Sequence, residues 1–172
     1  MNAIKTERRH NYSRDGWEGN NYQPYMDITT IAKTIRKELK RQFPDCKFSV
    51  TTGRFSGGQD LNISLMSAPF PAILKKHTLR LNEFKSDNIE QYAQINEYAF
   101  NCDYNDTRPL PGWNNGSQLS PEAWHVMKRV SQLANSFNYD DSDSQIDYFD
   151  VNFYLHLQIG KWNKPFVETR NQ

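Results

Sequence analysis

The feature that most constrains the fold is a strict alternation of apolar and polar residues near the C-terminal end of the chain. From position 149 to 159, every odd-numbered residue is apolar and every even-numbered residue carries a polar group. A period of two places successive side chains on opposite faces of a strand. We therefore expect one long β-strand with an apolar face in the core. Its outward row is either a candidate binding platform or a face that a helix covers: Tyr148, Asn152, Tyr154 and His156.

An amphipathic helix is predicted between Asp27 and Pro44. Apolar side chains recur at positions 28, 31, 32, 35, 39 and 43, which is the spacing of a helix with one buried face. Asp27 is a suitable N-cap because its carboxylate can accept hydrogen bonds from free amide groups of the first turn. Pro44 ends the pattern, since proline cannot continue the hydrogen bonding of a helix.

Two shorter alternating runs follow and predict a β-hairpin. Residues 48–52 and 61–65 each alternate between apolar and polar side chains, as half-buried strands do. The link between them contains Ser56-Gly57-Gly58, and glycine adopts the positive φ of tight turns without steric cost. This tip is either a simple turn or, with Arg54 beside it, a contact for a phosphate.

A second long helix is predicted from Ser120. Ser120 suits the N-cap, Pro121 the first helical position and Glu122 the first turn, and an apolar stripe continues to Phe137. The intervening residues are harder to interpret. A short helix is predicted from position 86, with Ile89, Tyr92, Ala93 and Asn96 on one face, and residues 100–119 have the composition of a long loop.

Together these elements predict an α+β fold in a single two-layer domain. An antiparallel sheet is expected to pack against two main helices, in the order helix, strand, strand, short helix, helix, strand. The predicted domain spans residues 27–166, after a polar arm at 1–26 and before a tail at 167–172. Three aromatic residues are expected to pin part of the arm to the domain: Trp17, Tyr22 and Tyr25.

Composition excludes several classes of protein. The 172 residues suit one domain, and no apolar run approaches the about 20 residues that span a bilayer. The first ten residues lack the apolar segment of a secretory signal. Two cysteines, Cys46 and Cys102, cannot form a disulfide scaffold or a four-thiolate zinc site. We expect a cytoplasmic protein with reduced thiols and no membrane partner.

Charge is balanced in total, at +1, but not along the chain. Residues 1–85 carry 15 Lys and Arg against 8 Asp and Glu, whereas residues 86–172 carry 6 against 12. The halves either pack with complementary surfaces or form a basic and an acidic binding face. Candidate contacts for nucleic acid or an acidic partner lie in the predicted helix, hairpin and following segment: Arg36, Lys37, Lys40, Arg41, Arg54, Lys75 and Lys76.

The acidic half contains a cluster of aspartates after the second helix. Asp140, Asp141 and Asp143 are candidates for docking a basic partner, or they cap turns, and Asp147 and Asp150 are weak candidates for metal binding. A calcium loop beginning at Asp141 is excluded, because Ile146 stands where glycine is required and Asn152 where glutamate is required.

Two stretches of the sequence resemble a known family. Residues 31–65 contain Ile-Arg-Lys-Glu-Leu-Lys in the predicted basic helix, then a Phe-Ser-Val strand and a Ser-Gly-Gly hairpin. Residues 138–162 contain Asp-Tyr-Phe-Asp-Val-Asn-Phe-Tyr. Both are similar to a large polyvalent-protein-associated domain of phage, plasmid and conjugative-element proteins. The resemblance implies an accessory role in mobile elements, often against host defences. It brings no established catalytic residues.

No catalytic residue, catalytic motif or cofactor is therefore predicted. The leading hypothesis is a non-enzymatic mobile-element accessory protein that binds a host or element macromolecule, with anti-defence inhibition as one form of that role. The first alternative is a nucleic-acid-binding module that uses the basic helix and hairpin. The second is a metal-dependent nuclease centred on Asp147 and Asp150. The oligomeric state stays open.

Overall fold

A computed structural model of the chain describes residues 16–73, 92–97, 100, 119–143 and 145–169. Two long helices and seven strands are found in these ranges. The helices are α1 (Ile28–Gln42) and α2 (Pro121–Asn135). The strands are β1 (Trp17–Glu18), β2 (Lys47–Phe55), β3 (Gly58–Ala68), β4 (Ala93–Ile95), β5 (Tyr139–Asp140), β6 (Tyr154–Ile159) and β7 (Val167–Glu168).

Both predicted helices begin at the expected caps. The Asp27 carboxylate accepts a hydrogen bond from the Thr29 amide at 2.8 Å, and the Ser120 hydroxyl accepts one from the Ala123 amide at 3.1 Å. Each cap satisfies an amide group that has no partner inside the helix. Both helix predictions are confirmed.

The β-hairpin is also confirmed. β2 and β3 pair antiparallel from Lys47 with Ser67 to Phe55 with Gly58. Gly57 at the tip has a φ of +88°, which an L side chain rarely adopts. The glycine-rich link is therefore explained by the geometry of the turn.

Five of the described strands form one sheet, in the order β2-β3-β6-β4, with β7 beside the end of β3. β6 runs parallel to β3, whereas β4 runs antiparallel to β6. The α+β class is confirmed, but the sheet is mixed rather than wholly antiparallel. The connection from β3 to β6 is long and contains α2, which is the kind of connection that parallel neighbours require.

The core lies between the helices and one face of this sheet. In register, Val50 faces Ile63, and Ile63 faces Leu157 on the next strand. The side chains on this face belong to one buried cluster with the apolar stripes of α1 and α2. Each Å² of apolar surface that is buried contributes about 25 cal/mol, so this contact is the main source of stability.

The prediction of one long strand up to residue 159 was wrong in its first half. Only Tyr154–Ile159 form β6, and Phe149, expected in the core, is 65% exposed. Asp147 has a φ of +53°, and the amides of Asp141 and Asp143 donate to the carbonyls of Asp150 and Tyr148, at 2.8 Å each. These bonds fold residues 141–150 into a turn, so alternation there does not reflect a sheet.

The short helix predicted from position 86 was also wrong where it can be tested. Residues 86–91 lie outside the described residues, but Ala93–Ile95 form β4. Pairing with the free edge of β6 gives these residues long-range hydrogen bonds, and such tertiary context overrides a weak local helical pattern. Of the predicted loop at 100–119, only positions 100 and 119 are described.

The segment before α1 contacts the end of α2. β1 pairs with β5, matching Trp17 to Asp140 and Glu18 to Tyr139, and the Tyr22 ring meets the Tyr139 ring edge-on at 5.0 Å. Tyr25 does not pin the segment as expected, because its side chain is fully exposed.

Candidate functional site

The arginines predicted to bind a partner mostly serve the fold. Arg36 donates from Nε and Nη2 to the carbonyl oxygen of Val50, at 3.2 and 2.6 Å, and so ties α1 to the edge strand β2. Arg41 donates two hydrogen bonds to Glu38, three residues earlier on α1. Arg54 pairs with Asp27, the N-cap of α1. The ion pairs of Arg41 and Arg54 partly offset the positive charge of those two arginines.

Asp27 is an electrostatic link between α1 and the hairpin. Hydrogen bonds from the Thr29 hydroxyl and amide, and beside them the Arg54 charge, hold the pKa of the Asp27 carboxyl below its ordinary value. The carboxylate thus stays ionised as an N-cap at any ordinary pH. Arg54 is therefore explained by the fold as well as by a phosphate contact.

A stripe of lysines remains on the outer face of α1. Lys33, Lys37 and Lys40 are exposed, and the ion pairs found among the described residues do not include them. Their spacing of four and three residues places them on one side of the helix. The "lysine stripe" of these three residues points away from the sheet. Lys75 and Lys76 lie outside the described residues.

The predicted acidic docking residues form turns. The Asp140 carboxylate accepts a hydrogen bond from the Ser142 amide, and the Asp143 carboxylate accepts one from the Gln145 amide, both at 2.9 Å. Asp150 accepts a hydrogen bond from the Tyr139 hydroxyl at 2.7 Å, and Asp147 is exposed. Within the described ranges, no group of three or more His, Cys, Asp or Glu side chains could hold a metal ion.

Opposite the helices, the sheet has a polar face, here called the open face. It consists of the side chains that alternate with the core-facing ones on the four main strands. They are Ser49, Thr51, Gly53 and Phe55 on β2, Gly58, Asp60, Asn62, Ser64 and Met66 on β3, Tyr154, His156 and Gln158 on β6, and Gln94 on β4. Apart from Lys47, at the irregular start of β2, the described positions on this side of the four strands include no lysine or arginine. The centre of the open face therefore attracts phosphate poorly.

Aromatic pairs stand at both ends of the open face. Phe55 and Tyr154 lie 5.9 Å apart at the hairpin end, and Tyr92 and Trp162 meet edge-on at 6.0 Å at the other end. Trp162 is 77% exposed and Phe55 is 51% exposed. In register, the two ends are six residues apart, or about 20 Å along the strands. Of the outward row predicted from sequence, Tyr154 and His156 belong to this face, whereas Tyr148 and Asn152 lie in the preceding turn.

A cleft of about 320 Å³ lies beside α2, and sequence reasoning missed it. One wall is a single face of the helix, because Lys128, Ser131, Gln132 and Asn135 recur at helical spacing. The other walls are Trp17, Glu97, Phe100 and Asp140. These residues come from three separate segments, so no local motif in the sequence could have revealed the cleft.

Glu97 is the acid of this cleft whose pKa is shifted. Burial raises the pKa of its carboxyl, a hydrogen bond from Asn135 lowers it, the nearby Asp140 carboxylate raises it, and the His156 imidazole lowers it; the net result is a pKa above the ordinary value. The Asn135 amide donates to the Glu97 carboxylate at 3.2 Å. A buried acid beside a second acid is a group whose charge has too little compensation.

The thiol of Cys46 is not an activated nucleophile. Burial, and then the adjacent Asp45 carboxylate, raise the pKa of Cys46, and a thiol with a raised pKa forms little of the reactive thiolate. Cys102 lies outside the described residues.

The family of the chain is shown by a family model that matches part of its sequence. A model of the large polyvalent protein associated domain 29 matches residues 26–119, more than half of the sequence. The chain belongs to this family. The suspected membership is confirmed, and the match contains the first resembling stretch, residues 31–65.

The family match covers α1, β2, β3 and β4, and it includes Glu97 and Phe100 of the cleft. It ends before α2 and β6, so the second resembling stretch, at 138–162, lies outside it. Comparison with curated proteins and with solved structures finds no significant match. In the part of the chain that the structure describes, no helix has the length and apolar character to cross a membrane.

Proposed function

We propose that this chain is a protein-binding accessory domain of a mobile genetic element, and that its open face docks the partner. The family membership supports the mobile-element context. The observation that most directly supports partner binding is the open face itself, a four-stranded polar surface with exposed aromatic pairs at both ends. We place binding before catalysis because the hydrogen-bonding groups of this face are arranged across a broad surface.

The chemistry of the open face favours a protein over a nucleic acid. Aromatic side chains supply most of the binding energy in protein interfaces, and the polar centre can pair with a partner's hydrogen-bonding groups. Asn62 donates to Asp60 at 2.7 Å, and Ser64, which is buried at 1% exposure, donates to Gln158 at 3.2 Å. The centre is therefore preorganised by its own hydrogen bonds, and Asp60, Asn62 and Gln158 are its partly exposed groups. The Asp60 carboxylate repels phosphate.

Replacing Trp162 with alanine is expected to abolish partner capture without unfolding the domain. Trp162 is 77% exposed, so its removal leaves the core intact, whereas loss of an interface tryptophan typically costs about 2–4 kcal/mol of binding. The tagged protein is cross-linked in host cells, and captured proteins are quantified by mass spectrometry. We expect a partner that is recovered with the unmodified chain and depleted at least about tenfold with Trp162→Ala.

Lys37→Ala is the matched control, because Lys37 lies on the opposite side of the domain, and it should capture the partner normally. Recovery of the same proteins by Trp162→Ala and the unmodified chain would end the proposal. The identity of the depleted protein then tests the finer hypothesis, that the partner is a host defence component that this domain inhibits.

The lysine stripe supports a second candidate function, nucleic-acid binding by α1. Replacing Lys33, Lys37 and Lys40 together with glutamate should abolish binding if these residues contact phosphates. Each phosphate contact steepens the fall of affinity with salt by about 0.9 on a double-logarithmic plot. Binding to single-stranded and duplex DNA and RNA is measured by fluorescence anisotropy between low and physiological salt.

The matched control for the lysine stripe is Lys161→Glu with Lys164→Glu. This pair lies in the turn after β6, away from α1. Binding that is absent from the unmodified protein at low salt, or that survives reversal of the lysine stripe, would remove this second candidate.

A further inference from the structure

The cleft beside α2 has a composition that the proposed function does not use. Two acids, Glu97 and Asp140, line it together with two aromatic rings, Trp17 and Phe100. Its volume, about 320 Å³, lies at the lower end of the range for small-ligand sites, about 300–1,000 Å³. The Glu97 side chain accepts a hydrogen bond from Asn135 on α2, and the described lining of the cleft shares no residue with the open face.

Among the described residues, no ion pair neutralises the acids of the cleft, although the nearby His156 imidazole has the smallest of the influences on the pKa of Glu97 and lowers it. Lys128 is the basic residue in its lining, but the Lys128 ammonium lies 4.6 Å from the centre of the Trp124 ring. The ion pairs found in the described ranges do not join Lys128 to either acid. Lys128 is thus held by a cation–π contact at one side, and the acids face the cavity without it.

Burial and the proximity of Asp140 both make the charge of Glu97 costly. A cation between the two carboxylates would remove this cost, because opposite charge favours the ionised form. Acceptor capacity is available: the Glu97 carboxylate accepts one hydrogen bond from Asn135, and an ionised carboxylate has about four acceptor positions.

The aromatic walls define the shape of the ligand. Trp17 is 40% exposed and Phe100 is almost fully buried, at 6%, so one ring forms a rim and the other a floor. Aromatic faces attract planar guanidinium and alkylammonium groups. An anionic ligand would be repelled by the two acids, and a neutral one would leave them uncompensated.

We propose that this cleft binds an organic cation, a guanidinium or alkylammonium group, between the carboxylates of Glu97 and Asp140 and the rings of Trp17 and Phe100. The group comes either from a free small molecule or from a basic side chain of a bound polypeptide. The described lining of the site shares no residue with the open face, although His156 of that face acts on Glu97, so failure of the cation test leaves the proposed function untouched.

The test is a titration of the full chain, followed by the NMR signals of the Trp17 indole and the Asn135 amide. The probes are agmatine, a free guanidinium compound, and acetyl-Gly-Arg-Gly-amide, which presents an arginine side chain. Acetyl-Gly-citrulline-Gly-amide is the neutral control of the same shape. We expect a cationic probe to bind at least about tenfold more tightly than the citrulline peptide. Preference for agmatine or for the arginine peptide assigns the source of the cation.

Glu97→Gln should weaken the cationic probe at least about tenfold, whereas Glu122→Gln, at the exposed start of α2, should leave it unchanged. Affinity should also fall as the pH is lowered through the raised pKa of Glu97, because protonation removes the charge that binds the ligand. Asp140 and His156 also act on Glu97, and Lys128 lines the same cleft, so the pH profile of Glu97→Gln shows how much of the pH dependence comes from groups other than Glu97.

Three outcomes would overturn the inference. The first is the absence of shifts at Trp17 with either cationic probe, and the second is equal affinity for the arginine and citrulline peptides. The third is unchanged affinity in Glu97→Gln. The first two use only the unmodified protein, so they decide the question even if the variant does not fold.

Discussion

Replacing Asn138 with alanine is expected to destabilise the domain by about 2–6 kcal/mol, since two buried backbone groups lose their partners at about 1–3 kcal/mol each. Asn138 is buried at 5% exposure. Its amide donates to the Phe153 carbonyl at 3.0 Å, and its side-chain oxygen accepts from the Phe153 amide at 3.1 Å. The side chain thus makes the pair of hydrogen bonds that a residue of a neighbouring strand would make, and it holds the loop that leads into β6. Urea denaturation measures the loss.

Two further variants separate this bond from general effects of substitution. Asn20→Ala changes an exposed asparagine and should shift stability by less than about 0.5 kcal/mol. Asn138→Asp retains the acceptor but places a carboxylate against the Phe153 carbonyl, so the folded state should raise the pKa of the new acid. That variant should be most stable below the ordinary pKa of aspartate and lose stability as pH rises, because only the protonated form can donate. Wild-type stability in Asn138→Ala would refute the role given to the side chain.

The parts of the fold that sequence could predict are those with local signals. α1 has an N-cap, a full apolar stripe and a terminal proline within one segment, and the β2–β3 hairpin has two alternating runs around a glycine tip. In both, the neighbouring residues alone favour one structure. Helix α2 was predictable for the same reason.

The parts that sequence could not predict depend on distant partners. The alternation at residues 149–153 suits a strand, yet Asp147 at positive φ and the backbone bonds to Asp141 and Asp143 make a turn of that region. The direction of β6 beside β3 is set by the path of the long connection, and no local sequence pattern indicates that path. The burial of Asn138 likewise follows from its two bonds to Phe153 and not from any pattern around it.

The candidate sites divide in the same way. The basic face of α1 was visible as a helical pattern, but sequence could not show that Arg36 and Arg54 are bound by Val50 and Asp27. The open face was half visible, through Tyr154 and His156. The cleft was invisible because its walls come from segments that are far apart in the chain, and only packing brings Trp17 to Glu97.

Gly19→Ala is expected to detach the segment before α1 and so to remove Trp17 from the wall of the cleft. A Cβ atom at Gly19 would lie 2.2 Å from the Asn135 carbonyl oxygen and 2.4 Å from that of Ser136. Both are backbone atoms at the end of α2, so they cannot move aside as a flexible side chain would. The Gly19 amide donates to Asn138 at 2.9 Å and the Asn21 amide donates to Ser136 at 2.7 Å, and both bonds should be lost.

The expected result is local, because the core cluster contains no residue of this segment earlier than Met26. Hydrogen exchange at Gly19 and Asn21 should accelerate at least about tenfold, which corresponds to about 1.4 kcal/mol of local stability, while exchange in β3 stays slow. Gly57→Ala is the control: it introduces strain at a φ of +88° but meets no atom within 4 Å, so it should leave Trp17 in place. The aromatic contact of Trp17 depends on the docking of this segment. If the cation probes bind Gly19→Ala with the same affinity as they bind the unmodified chain, Trp17 is therefore not a wall of the site.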